Sequence, residues 1–272
     1  MEAREHLQAG RLPEALASLQ EAIRKVPADP GLRIFLFELC SVLGEWEKAT
    51  RQLEILAELD ADGLVLSRMF QPIIQSELVR AKVFAGTDTP LIFGEPEPWM
   101  SSLVQANYLL ATGQAAAARP LRDEAFAAAP ASAGAIGDQP FAWLADADSR
   151  LGPMLEVFLE RKYFWVPFSR IASIEMEPPE SLRDILWVNA QFTWINGGAA
   201  SGHIPTRYSG TESSQDHALR LSRKTEWLDR GEDLFAGLGQ RMLSSDQSDH
   251  PLLEIRRIAF EHEPTPAPAA NP

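Results

Sequence analysis

Apolar residues recur at helical spacing through the first 130 residues and alternate with polar ones beyond about residue 140. In residues 32–43, Leu32, Phe35, Leu36, Leu39 and Leu43 form one stripe. Residues 45–58 continue as a second helix. Residues 1–8 read as an amphipathic half-repeat and residues 11–25 as its partner helix, with Pro13 in the first turn. Residues 61–84 read as a further helix carrying Pro72, and residues 86–98, rich in Pro and Gly, as a loop. Alternation predicts strands at Ile171, Ile174 and Met176 and at Gln191-Phe-Thr-Trp-Ile195, the latter entering a hairpin turn at Asn196-Gly197. Residues 219–227, 233–242 and 252–260 are further strand candidates; residues 155–160 and 181–187 read as short helices.

The helical part repeats itself. Gly10, Leu12, Ala15, Leu19 and Ala22 precede Pro27, and 34 places on stand Gly44, Trp46, Ala49, Leu53 and Leu56, with Asp60 one place before the expected proline. Gly113, Ala118, Ala125 and Pro130 repeat the pattern more weakly. A period of 34 with glycine at a turn and alanine where two helices approach is the tetratricopeptide pattern. Ala, Ser, Gly and Pro accumulate at residues 130–140. The chain therefore reads as an α+β protein: tetratricopeptide-like helical repeats over residues 1–130, a small strand-rich α+β domain over 138–262, and a disordered Pro/Ala tail over 263–272.

Charge narrows the partners. Lys plus Arg number 25 against 38 Asp plus Glu, a formal charge of −13, which disfavours nucleic acid and anionic membrane surfaces. The single cysteine, Cys40, permits no internal disulfide, and no leader-like or membrane-spanning run is apparent, so a cytoplasmic protein is expected.

Chemistry is sparse. Asp146 and Asp148 share one side of a strand and have metal-ligand character, but Arg150 follows as a ready partner. Glu175 and Glu177 read as the solvent face of a strand. The glycine-rich run from Asn196 to His203 lacks the Lys-Ser/Thr of a nucleotide loop, though a functional loop at 197–214 fits its composition. Cys40 sits among apolar neighbours, and the five histidines are scattered. No catalytic constellation, metal set or cofactor motif emerges. The remaining expectation is a concave groove lined by the first helix of each repeat pair: Ile34, Glu38, Ser41 and Val42, then Leu103, Asn107 and Leu110. The alternative is that these residues pack on the intervening helix 61–84.

Several motifs carry a family resemblance. Gln8-Ala-Gly-Arg-Leu-Pro-Glu-Ala-Leu16, Pro27-Ala-Asp-Pro30, Ala145-Asp-Ala-Asp148 with Arg150-Leu-Gly-Pro153, Ile174-Glu-Met-Glu-Pro-Pro179 and Asn196-Gly-Gly198 are such motifs. Arg207-Tyr208, Thr225-Glu-Trp227 and Gly239-Gln-Arg241 continue the series. Together they resemble the ImpE/TagJ family of type VI secretion accessory proteins. That resemblance implies a non-enzymatic adaptor that binds a helix of the small sheath subunit (TssB-like) and assists sheath turnover with the ClpV ATPase. It supplies no catalytic residues. The competing expectation is a hydrolase or metal- or ligand-binding enzyme using Asp146, Asp148 and the 197–214 loop.

Overall fold

The computed structural model describes residues 2–262; the tail 263–272 lies outside the described residues. Seven helices come first: α1 Glu2–Gln8, α2 Leu12–Lys25, α3 Pro30–Leu43, α4 Trp46–Leu59, α5 Ala61–Phe84, α6 Pro98–Ala111 and α7 Ala115–Ala128. Their limits follow from local chemistry. Asp29 accepts a hydrogen bond from the Leu32 amide (3.0 Å) with Pro30 in the first turn, and Gly44, at φ 72°, closes α3 in the left-handed region. Asp60, which stands near the expected proline, caps α5 through the Gly63 amide at 2.7 Å. Ala15, Leu19, Ala49 and Leu53 are all fully buried at the helix contacts that the repeat pattern requires.

Strands follow: β1 Leu91–Ile92 within the inter-helix loop, then β2 Gly134–Ile136, β3 Gln139–Phe141, β4 Leu144–Asp146, β5 Met154–Leu159, β6 Lys162–Pro167, β7 Ile171–Met176, β8 Trp187–Trp194 and β9 Ala199–Pro205. A single helical turn, α8 His217–Arg220, precedes β10 Thr225–Asp229, β11 Phe235–Gly239, β12 Met242–Ser245, β13 Asp249–Pro251 and β14 Arg257–Phe260. Nine strands form one sheet in the order β1-β6-β5-β9-β8-β7-β14-β2-β3, parallel only where β1 meets β6. Strands β13, β12 and β4 form a second sheet, and β10 pairs with β11 in a hairpin.

Five local expectations change. Residues 155–160 lie largely in β5, because all six residues of that strand are buried and a run buried on both faces carries no polar alternation to separate strand from helix. Residues 181–187 form turns held by Asp184, whose carboxylate accepts from the amides of Glu180 and Ser181 and from the Ser181 hydroxyl. Residues 219–227 divide between α8 and β10, and 252–260 between a short 3-10 turn and β14. The glycine-rich segment at 197–214 opens with β9, which pairs with both β8 and β5; its Gly202 lies where a Cβ would meet the Phe158 carbonyl oxygen at 2.9 Å.

The helices pack on one face of the large sheet. Phe37, Leu39, Phe70 and Ile74 share a core with Met154, Phe158, Trp165 and Trp187, so apolar packing is continuous across the compositional break at 130–140. Leu155, Val157, Ile174, Phe192 and Ile258 fill the other face. Strand β5 alternates between the two cores, which places Glu156, between Met154 and Phe158, toward the helices.

Polar contacts bind the halves as well. Arg207 donates to the carbonyls of Ser41 (3.3 Å) and Val42 (2.8 Å), and Arg223 to those of Leu7 (3.2 Å) and Gln8 (3.1 Å). Both arginines therefore bond to carbonyls of the last turn of a helix, at the negative end of its dipole. Gly44 lies in one of these junctions, where an added Cβ would meet the Glu212 side chain at 2.7 Å. Gly44→Ala is expected to cost about 2 kcal/mol, from left-handed strain and that clash, and to lower the urea midpoint at unchanged m-value.

Candidate functional site

The residues expected to line a repeat groove do not form one surface. Ser41, Val42 and Leu103 are fully buried, and Glu38 and Asn107 are 7% exposed. The reason is that the strand-rich half packs where an external partner was expected. Arg207 holds the Ser41 and Val42 carbonyls, Arg183 donates to Glu38 (2.8 Å), and Asn107 donates to the carbonyls of Arg150 (2.6 Å) and Leu103. The chain itself thus covers the side chains of Ser41, Val42, Leu103 and Asn107. Leu110 is half-buried in a separate small cavity beside Arg150 and Arg230.

Ile34 and Glu38 do meet in an open groove of about 400 Å³ between α1, α3 and the turn at 180–182. Leu7, Ile34, Phe35 and Leu182 give it an apolar floor; Arg4, Glu38 and Glu180 give it charge. Burial pushes the Glu38 carboxyl up to about 7, and Arg183 only partly offsets this. Sequence reading missed the 180–182 wall, because 180–182 is adjacent to the repeats only through the fold.

Asp146 and Asp148 lie deeper, in a buried ionic network. Arg241 pairs with both Asp146 and Glu156; Arg80, from α5, grips Glu156 through Nε (2.6 Å) and Nη2 (2.9 Å) and reaches Glu77 at 3.2 Å. Tyr163 donates to Glu156, Trp187 to Glu77 (2.7 Å), and Tyr208 to Asp146 (3.0 Å). Asp148 accepts two bonds from the Arg150 guanidinium (2.8 and 2.6 Å) and one from the Gly237 amide (2.7 Å). Arginines and amides thus occupy the oxygens that a metal would need, and among the described residues no cluster of three or more ligating side chains has metal geometry.

The network separates its carboxyls electrostatically. Burial raises Asp146 to about 6 despite Arg241, whereas Glu156 is held at about 2 because Arg80 and Arg241 together outweigh its burial. Carboxyls driven apart in this way resemble an acid–base pair. Here Glu156 and Arg241 are wholly inaccessible and Asp146 is 3% exposed, so no open path reaches them among the described residues. Their role is to join α5 to the strands. Arg80 and Glu77 were legible as charges at helical spacing on the apolar stripe of Phe70, Ile73 and Val83; Glu156 and Arg241 had no such signal.

Two measurements test this electrostatics. Arg241→Met leaves Glu156 and Asp146 short of a buried cation, and is expected to destabilise the fold by about 3–5 kcal/mol in urea unfolding. Glu38 binds its proton more tightly folded than unfolded, so its contribution to stability is present below pH 4.5 and is lost as pH rises toward 7. Glu38→Gln removes that slope: between pH 5 and 8, wild type should lose about 2 kcal/mol relative to the variant, read by unfolding at each pH.

Comparison with known proteins follows the same outline. The ImpE protein family model matches residues 138–259, and a tetratricopeptide repeat model matches residues 6–67. The chain is 47% identical over 261 residues to the type VI secretion system accessory component TagJ of Pseudomonas aeruginosa strain PAO1, covering 96% of this chain and 92% of that protein. A crystal structure of a Vibrio parahaemolyticus protein superposes with a TM-score of 0.88 at 26% identity, covering 97% of this chain and 98% of that one. Helical repeats, strand-rich half and sequence agree along nearly the whole length: the chain belongs to the ImpE/TagJ family.

Proposed function

We propose that this chain is a cytoplasmic, non-enzymatic adaptor of type VI secretion. It holds an apolar-faced helix of the small sheath subunit (TssB-like) and assists sheath turnover with the ClpV ATPase. Family membership supports the secretion role. The observation that carries the binding mode is the groove between α1, α3 and the 180–182 turn. Its apolar floor suits the anchors of an amphipathic helix, and Glu38 and Glu180 favour a helix whose flanks are basic. Ile34 is the anchor contact, half-buried at the floor and free of the ionic network. No helix among the described residues is long and apolar enough to cross a membrane.

Isothermal titration with a peptide of the cognate sheath subunit's helix tests the proposal. Wild type should bind at roughly micromolar Kd or tighter, and Ile34→Asp, matched in Tm, should weaken binding about tenfold or more. No binding by wild type, or binding that Ile34→Asp leaves intact, rejects this groove as the capture site.

A further inference from the structure

The other end of the helical layer carries a surface of opposite charge. Along α5, Val65 and Met69 are 56% and 52% exposed, and with Pro72 they continue a stripe at helical spacing. Arg68 lies beside them. Across a cleft of about 270 Å³ stands Arg161, at the tip of the β5–β6 hairpin. The cleft floor is Ile73, Phe158 and His203, whose pKa burial lowers. Neither Arg68 nor Arg161 joins an ion pair or a side-chain hydrogen bond among the described residues, in a chain whose formal charge is −13. Glu160 is the one carboxylate lining the cleft.

The hairpin tip supplies an independent observation. Leu159 pairs with Lys162, so Glu160 and Arg161 form a two-residue turn, and both have positive φ, 49° and 66°. Such a turn favours Asn-Gly; two side-chain-bearing residues there are strained. The strain buys no contact within the chain, since the Arg161 side chain is exposed and unpaired. It does set a guanidinium opposite Arg68, across an apolar cleft.

We propose that this cleft is a second docking surface, which takes an acidic amphipathic helix from a partner protein. Its apolar anchors lie on Val65 and Met69, and its carboxylates pair with Arg68 and Arg161. The surface is separate in residues and opposite in charge to the groove assigned to the sheath helix. It therefore receives a different partner and does not depend on that assignment.

The probe is a fluorescein-labelled synthetic helix with a leucine stripe flanked by glutamates, alongside a twin with lysine replacing every glutamate. Wild type should bind the acidic helix with an affinity that falls as salt is raised. Arg68→Glu/Arg161→Glu should weaken that binding at least tenfold and leave the lysine twin no weaker. Glu160→Asn/Arg161→Gly should raise Tm, by relieving the turn, yet still weaken the acidic helix several-fold. A stabilised variant that binds worse separates docking from folding. The proposal is overturned if wild type fails to bind the acidic helix, if either variant binds it as wild type does, or if both peptides weaken together. It is also overturned if light scattering shows a dimer that these substitutions dissociate, because the occupant is then a second copy of the chain.

Discussion

The junction between the two halves turns on Glu156, a wholly buried carboxylate matched by two guanidiniums. Arg80 comes from a helix of the repeat half and Arg241 from the strand half, and both converge on the same carboxylate. A buried charge with one partner removed is costly, whereas a fully matched set fixes which element lies against which. Apolar packing alone tolerates sliding; the paired guanidiniums do not. The network gives α5 one register on the sheet, and the grooves on either side of it inherit their shape from that register.

This explains why the repeat stack takes an unusual course. Stacked helical hairpins ordinarily leave a concave face for an external ligand. Here the chain's own strand-rich half covers much of that face, with Arg207 and Arg223 on the helix-end carbonyls and Trp187 tilted against Phe70 and Trp46. The groove at α1, α3 and the 180–182 turn, and the cleft between α5 and the β5–β6 hairpin, both lie at seams between the halves. Surfaces made by both halves exist only in the folded chain, so binding there reports on the integrity of the whole molecule.

Much of this was legible in sequence, and the exceptions have physical causes. The helices up to Phe84 follow from glycine turns, prolines and apolar spacing, all local signals. Strand β5 was hidden because burial on both faces erases alternation. Repeat register says which face a residue is on and not what covers it: Val42 and Leu103 have the right periodicity and no exposure. Arg241 gave no sign of its burial, since its partners lie 85 and 95 positions away in the chain. Long-range charge matching is the part of a fold that periodicity cannot carry.

The two-residue strand β1 has a consequence out of proportion to its length. It lies parallel to β6 at the rim of the large sheet, pinned where Arg170 donates to the carbonyls of Phe93 and Glu95. Behind it, β6 runs Lys-Tyr-Phe-Trp-Val-Pro, an aromatic strand with free donors and acceptors along its outer side if β1 is removed. The connector between α5 and α6 is thus a guard against edge-to-edge association. With the connector in place, the aromatic strand behind it presents no open ladder at Phe164 and Trp165.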